Sequence, residues 1–367
     1  MNTLTLEYIK SILPQRPDNS HKMTFGHVLN IAGSLHYRGA AYLSSLSALR
    51  VGAGYVTLAS SPLVCDSVSA QTPIVVTLPL LTHVAERYDD AEPRIDLLST
   101  KKHSKIHSID VQTIDKKAVL QLRDKLSQAS VITVGSGLSI AQSTDQLGIV
   151  PSHNPLDNNL LDSSLLDNIN HHNNPLTGLT IPDGNCEFFY ALLTEIQTNN
   201  NPVIFDADAL NFMSHLINQQ TPLTPTAITL PKNSIVTPHP KELSRLLNVD
   251  VGSIQAQRVH FASLAAKQLH TIVVLKGKHT VISDGNTVFI NPTGNSALAK
   301  AGTGDVLTGM IAGFCAQGVS SINAACLGVY LHGLAGDIAA EDLSQYGVLA
   351  SDLLDYIPKA ILQVLAV

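Results

Sequence analysis

Residues 271–309 read TIVVLKGKHTVISDGNTVFINPTGNSALAKAGTGDVLTG. "TIVVLKG" (271–277) is a β-branched run ended by glycine, which predicts a buried strand. "TVISDGNTVFINP" (280–292) sets a DGN turn between two short apolar runs and predicts a hairpin at a sheet edge. The glycine-containing stretch after it runs into apolar "VLTGMIAGFCAQG" (306–318), which predicts a helix with Asp305 in its first turn.

The same alternation recurs outward from this segment. Residues 27–33, 55–60, 130–137, 202–209 and 234–240 are short apolar runs ending in Gly, Pro, Asp or Ser, and residues 40–54 show helical spacing through Leu43, Leu46 and Leu49. Strands apolar on both faces and separated by helices predict an α/β fold, with a mostly parallel central sheet and helices on both faces. Residues 303–367 read as further helices. The Asn/Asp-rich stretch 153–174 and the charged stretch around 84–117 look like surface elaborations, so a single domain over 1–367 is expected, with insertions near 84–117 and 152–200.

Composition narrows the class. Hydrophobic residues make up 44% of the 367 and charged residues 14%, which suits a packed globule. A net charge of −6 without a basic run argues against nucleic acid as the partner. The four cysteines lack metal-type or paired spacing and are expected to be buried free thiols. No uninterrupted apolar run approaches the roughly 20 residues of a membrane span, and no secretory pattern opens the chain, so a cytoplasmic protein without a membrane partner is expected.

In open α/β sheets ligands bind beyond the carboxyl ends of the strands. The loop after the first long strand, "GSLHYRGAA", lacks the G-x-G-x-x-G dinucleotide fingerprint. "GKHT" (277–280) lacks the upstream glycine of a P-loop, since position 272 is Ile. The Gly302–Asp305 turn remains. Glycines there free the backbone amides to converge, and the helix adds its unpaired N–H groups and positive end, which together make an anion site. Asp305 is either a helix-stabilising acid or a general base beside a phosphoryl acceptor, and Thr303 is a candidate cap.

These residues carry a resemblance. "GHVLNIAGSLHYRGAA" (26–41), "ALRVGAGYVTLA" (48–59), "VGSGL" (134–138), "DADALN" (206–211), "VTPHPKE" (236–242), "VVLKGKHTVI" (273–282), "NPTGNSALAKAGTGDVLTGMIAG" (291–313) and "GVLASDLLDYIP" (347–358) run in order along the chain. Together they resemble the ADP/ATP-dependent NAD(P)H-hydrate dehydratases of the ribokinase-like superfamily. The resemblance implies nucleotide-driven dehydration of (6S)-NADHX and NADPHX to NADH and NADPH, with ADP or ATP as co-substrate and Mg²⁺ as cofactor. It implies Asp305 as catalytic base and Gly302, Thr303 and Gly304 as anion hole. Lys276, Gly277, Lys278, His279, Thr280 and Gly304 would contact the AMP part of the nucleotide. Ala40, Gly137, His239 and Asp305 would line the hydrate site, and Glu242 is a candidate for positioning Mg²⁺. Of Asp206 and Asp208, which alternate at a strand end, one is expected to order the metal through water and the other to cap a turn.

Three departures from the family pattern stand out. The glycine loop reads "GSGLS" where "GPGLG" is usual, "SALAKA" (296–301) replaces a glycine-richer run, and the two insertions are long. Some relatives carry an N-terminal epimerase domain. About 25 residues precede the first matching stretch here, so a separate epimerase is expected as functional partner. A homo-oligomer, by similarity a tetramer, is also expected. The alternatives are a vitamin-precursor kinase of the same fold and a nucleotide-binding regulator without catalysis.

Overall fold

The computed structural model describes residues 1–84, 112–139, 184–197, 199–218 and 230–366. Its strands are β1 (Asn2–Thr3), β2 (His27–Ile31), β3 (Tyr55–Ser60), β4 (Val76–Pro79), β5 (Thr82–Val84), β6 (Gln112–Ile114), β7 (Val131–Val134), β8 (Val203–Phe205), β9 (Ile235–Val236), β10 (Ile272–Leu275), β11 (Val281–Ser283) and β12 (Val288–Ile290). Ten of them form one sheet in the order β1-β12-β11-β10-β9-β8-β7-β2-β3-β4, and β5 and β6 form a separate antiparallel pair. Every pairing in the large sheet is parallel except the β10–β11 and β11–β12 ladders of the expected hairpin. The hairpin is not itself the edge, because β1 pairs in parallel with β12 outside it.

Strand alternation divides the core into two layers. Val28, Val131, Ile204 and Val274 face one layer, while Leu29, Ile132, Phe205 and Val273 face the other. The first layer is covered by α1 (Leu6–Ile12), α2 (Arg38–Arg50) and α3 (Pro62–Gln71). The second is covered by α4 (Ala118–Gln128), α5 (Gly184–Ile196), α6 (Asp208–Asn218), α7 (Pro240–Leu247), α8 (Val251–Ala256) and α9 (Arg258–Leu269). The chain then returns to the first layer with α10 (Thr303–Ala316), α11 (Ser321–Gly347) and α12 (Leu353–Ala366). By length and composition α11 is apolar enough to cross a bilayer, but 72% of its apolar window is buried inside the protein. All four cysteines are free and buried, as their spacing suggests.

Two expectations about the insertions change. Residues 85–111 and 153–174 lie outside the described residues, but residues 184–196, placed by composition within the 152–200 insertion, form core helix α5. Phe188, Phe189 and Tyr190 on that helix are almost completely buried. Residues 112–114, assigned to the charged elaboration, are β6, and Ile114 is buried. Several strands are also shorter than their apolar runs. The 202–209 run stops at Phe205 because Ala207 takes a left-handed φ of 48° and Asp208 opens α6. The 234–240 run stops at Val236 because Pro240 starts α7.

Helices α2 and α10 meet backbone to backbone, and glycine makes the approach feasible. A Cβ on Gly309 would stand 2.1 Å from the Ser44 carbonyl oxygen, and one on Gly313 2.5 Å from that of Ala48. Beneath α2, the buried Asn30 side chain donates to Ser44 Oγ (2.8 Å) and Ser45 Oγ (2.9 Å) and accepts from Thr133 Oγ1 (2.6 Å), tying the helix to β2 and β7. Gly309→Ala is expected to destabilise by about 1–3 kcal/mol, since a buried backbone cannot move aside for the methyl group. Gly39→Ala, where the added carbon meets nothing within 4 Å, should stay within about 0.5 kcal/mol of wild type. Urea midpoints of the two variants check this, and equal midpoints would refute the close approach.

Candidate functional site

The carboxyl ends of β7 to β10 converge on the N-terminus of α10. Asp206, directly after β8, is 1% exposed, so its charge has to be answered by protein. Its Oδ1 accepts from Lys276 Nζ (2.7 Å) and from Thr237 Oγ1 (2.7 Å), and its Oδ2 from Thr308 Oγ1 (2.7 Å). Burial opposes ionisation of Asp206, but the Lys276 charge and these three donors outweigh it and hold the carboxyl below its usual range. Lys276 loses solvation too, yet Asp206 and Glu242 keep its pKa above the ordinary lysine value. The strand ends at Phe205, before both aspartates, so strand alternation does not govern where Asp206 and Asp208 point. Asp208 turns away and accepts the Ser139 N–H at Oδ2 (2.8 Å).

The second carboxylate is Glu242, 5% exposed in the first turn of α7. It forms a reciprocal cap with His239. The His239 N–H donates to Glu242 Oε2 (2.7 Å), while the Glu242 N–H donates to His239 Nδ1 (3.1 Å). His239 Nε2 stands 3.2 Å from Glu242 Oε1, and Lys276 Nζ 3.9 Å from Oε2. Burial pushes the Glu242 carboxyl up to about 7, with Lys276 opposing and the Asp206 charge reinforcing the shift. Burial, helped by Lys276, keeps the His239 imidazole below its usual value.

The third is Asp305. Gly302 takes a φ of +92°, where a Cβ would meet Leu43 and Ala350 at 2.8 and 2.9 Å, and it sets the helix start. Thr303 is not the cap. Its hydroxyl donates backward to the carbonyls of Leu298 (2.8 Å) and Lys300 (2.9 Å), anchoring the lead-in loop instead. The N–H groups of Gly304 and Asp305 find no backbone acceptor among the described residues, as the first turn of a helix requires. Lys276 Nζ lies 3.6 Å from where a Gly304 Cβ would be, so the ammonium and these amides border one space. Burial raises the Asp305 carboxyl to about 7, and the Asp206 charge adds to it. The Ser136 hydroxyl, buried beside Asp305 without a fully formed hydrogen bond, opposes the rise, as does Lys276.

The glycine loop after β7 completes the rim. Gly137 has a φ of +65°, and a Cβ there would stand 2.8 Å from that of Ala40, so the two positions expected to line the hydrate site touch. Ser139, where the family pattern has glycine, takes a φ of +61°; its N–H bond to Asp208 holds that conformation.

The expected residues thus fall into groups. Lys276, Glu242, His239, Gly304 and Asp305 surround one space, with Gly137 and Ala40 at its rim. Lys276 is mostly buried, its side chain 20% exposed. Gly277, Lys278 and His279 form an exposed turn after β10, in which Thr280 Oγ1 donates to the Gly277 carbonyl (2.9 Å). Arg258 supports that turn from α9, donating to the carbonyls of Leu275 (2.9 Å) and Lys276 (3.2 Å). Among the described residues, no group of three or more His, Cys, Asp or Glu side chains is arranged to hold a metal ion. Both oxygens of Asp206 and of Glu242 have protein partners: Lys276, Thr237 and Thr308 for Asp206, and His239 and Lys276 for Glu242. Sequence reasoning missed Thr237, Thr308 and Ser136; Thr308, three residues after Asp305 on one helix face, was the one findable signal.

The chain is similar to known proteins over most of its length. The family model described as NAD(P)H-hydrate dehydratase matches residues 28–187 and 183–359. The bifunctional NAD(P)H-hydrate repair enzyme of Moorella thermoacetica is 32% identical over 97% of this chain and 53% of its own length, so the chain spans about half of that relative. The ADP-dependent (S)-NAD(P)H-hydrate dehydratase of Bacillus subtilis is 30% identical over 97% of this chain and 96% of its own. A crystal structure of the ADP/ATP-dependent NAD(P)H-hydrate dehydratase from Bacillus subtilis, co-crystallized with ATP/Mg²⁺, superposes with a TM-score of 0.67 at 27% identity, covering 99% of this chain and 98% of that one. The mostly parallel sheet with helices on both faces is therefore the ribokinase-like arrangement expected from the sequence. By the span of the family match and by its whole-length similarity to the Bacillus subtilis protein, this chain belongs to the NAD(P)H-hydrate dehydratase family.

Proposed function

We propose that this protein dehydrates (6S)-NADHX and NADPHX to NADH and NADPH at the expense of ADP or ATP, with Asp305 as base. The observation that carries the reading is the placement of the Asp305 carboxyl in the first turn of α10, beside the amides of Gly304 and Asp305 and the Lys276 ammonium; burial there raises the carboxyl to about 7. Hydroxide leaves poorly, so the ring hydroxyl is first converted to a phosphate ester. Asp305 takes the hydroxyl proton as the oxygen attacks the terminal phosphorus, and the nucleotide departs as AMP from ADP or as ADP from ATP. The amides of Gly304 and Asp305, together with Lys276, neutralise the charge of the phosphoryl group in transfer. Cleavage of the C–O bond then releases phosphate, and loss of a ring proton restores the double bond of the reduced nicotinamide.

The remaining assignments belong to the same proposal. Gly277 to Thr280 receive the AMP part of the nucleotide, and Ala40, Gly137 and His239 border the hydrate. Mg²⁺, when bound, would supply neutralisation of phosphate charge, with Glu242 and Asp206 as the nearest acids that would help to position it. Asp206 fixes Lys276, and Glu242 fixes the His239 turn. Homo-oligomeric action in the cytoplasm, with an NAD(P)HX epimerase supplying the S hydrate, belongs to the same proposal.

The test is direct. Purified protein is incubated with NADHX, Mg²⁺ and either ADP or ATP, and absorbance in the NADH band is followed. Recovery with at least one nucleotide is expected; none with either rejects the reading. Asp305→Asn should lower kcat by about 10²–10⁴-fold while AMP binding stays within a few-fold, since the amides remain. Wild-type turnover by that variant would remove Asp305 from the mechanism. The pH profile gives a further check. A base whose pKa is raised to about 7 is protonated and inactive below that value, so kcat/KM should climb with pH to about 7 and level off above it. A flat profile between pH 5 and 8 would contradict the raised carboxyl.

A further inference from the structure

His332 lies in the middle of α11, buried and unused by the chemistry above. Its Nε2 stands 2.9 Å from the carbonyl oxygen of Thr303. A carbonyl only accepts, so Nε2 carries the hydrogen. Burial pushes the imidazole down to about 4, which leaves the ring neutral with its tautomer set by the acceptor it meets.

Thr303 is the first residue of α10, and its carbonyl shares a peptide plane with the Gly304 N–H. In a trans peptide these two groups point in opposite directions. A donor holding the carbonyl from behind therefore fixes the line along which the Gly304 N–H faces the site, and polarisation of the peptide strengthens that N–H as a donor. The approach of α11 is itself built for this contact. A Cβ on Gly333 would stand 2.2 Å from Thr293 Oγ1, and one on Gly336 2.7 Å from Leu298 Cδ2, so glycines beside His332 bring the helix backbone against the lead-in loop. On the same helix Asp337 accepts from the Gly294 N–H and from Asn295 Nδ2, both at 2.8 Å, which keeps the loop in register with the ring.

We propose that His332 is a positioning residue for phosphoryl transfer, its Nε2–H aiming and polarising the Thr303–Gly304 peptide whose amide faces the transferred group. This rests on the anion-site reading of Gly302–Gly304. The first test needs no activity. Nitrogen NMR of the wild-type protein with labelled histidines should show His332 neutral and protonated on Nε2 above about pH 5.5; a proton on Nδ1 instead overturns the proposal. The second uses the NADHX assay with ADP or ATP and Mg²⁺, with thermal melting to establish the folded fraction. His332→Leu should lower kcat about 10- to 100-fold with KM for NADHX within about threefold, because a displaced donor weakens transition-state stabilisation rather than substrate binding. His332→Gln, which carries an N–H to the same place, should stay within about fivefold of wild type. Equal loss in both variants, or a fall in kcat that only follows the folded fraction, overturns the proposal. Should the leucine variant fail to fold, the glutamine variant decides alone: more than about tenfold loss from folded protein overturns the proposal. Failure of the wild type to produce NADH rejects the dehydratase reading and leaves the NMR result to judge His332.

Discussion

The buried pair between Asp206 and Lys276 is the constraint on which the site depends. An ion pair removed from water is stable only when the geometry is good and the remaining lone pairs are satisfied. Asp206 meets this condition through Thr237 and Thr308, which come from the β9 turn and from α10. One carboxylate therefore joins the ends of β8, β9 and β10 to the first turns of α10. Loss of Lys276 would leave an uncompensated charge in the interior, a change that costs about 3–5 kcal/mol in comparable settings. The site is consequently fixed by the same contact that closes the core beneath it.

That pair also sets the chemistry around it. The Lys276 charge acts on three neighbouring acids, Asp206, Glu242 and Asp305, and Asp206 holds it most closely. The negative charge on Asp206 then adds to the effect of burial on both Glu242 and Asp305, and the two rise to about 7. Their uses differ because their hydrogen bonds differ. Glu242 is committed to the His239 cap, whereas Asp305 has only the unformed contact with Ser136 and faces the open amides. An acid with no fixed partner, near neutrality, is suited to take up and return a proton. An acid locked in a cap is suited to hold a loop.

How much of this was legible in the sequence follows from which forces are local. The strand–helix rhythm, the hairpin at Asp284–Asn286 and the helix start at Gly302 depend on residues within a few positions of each other, and all three are found where the pattern places them. Strand ends were less legible, because Ala207 ends β8 through a left-handed backbone that no alanine advertises. The burial of Lys276 against Asp206 left no local trace, since the two are 70 residues apart in the chain. The helix at 184–196 was absorbed into an insertion because the Asn-rich run before it dominated the local composition, although "FFYALL" belongs in a core. His332 carried no signal at all, as its role is defined only by the carbonyl it meets.

The "SALAKA" lead-in shows how a rule about flexibility is overridden by packing. Replacing glycine with alanine and serine stiffens a chain in isolation. Here Ser296–Leu298 forms a turn of 3₁₀ helix, Ala297 is fully buried, and Lys300 Nζ donates to the carbonyls of Tyr346 and Val348. The stretch is therefore ordered by contacts that glycines would not make. A loose phosphoryl transition state rewards donors that are already aimed, since no reorganisation is then needed at the moment of transfer. The loss of glycine from this loop is consistent with such a site: the freedom needed for the turn is kept at Gly302, where φ is positive, and removed from the residues that lead to it.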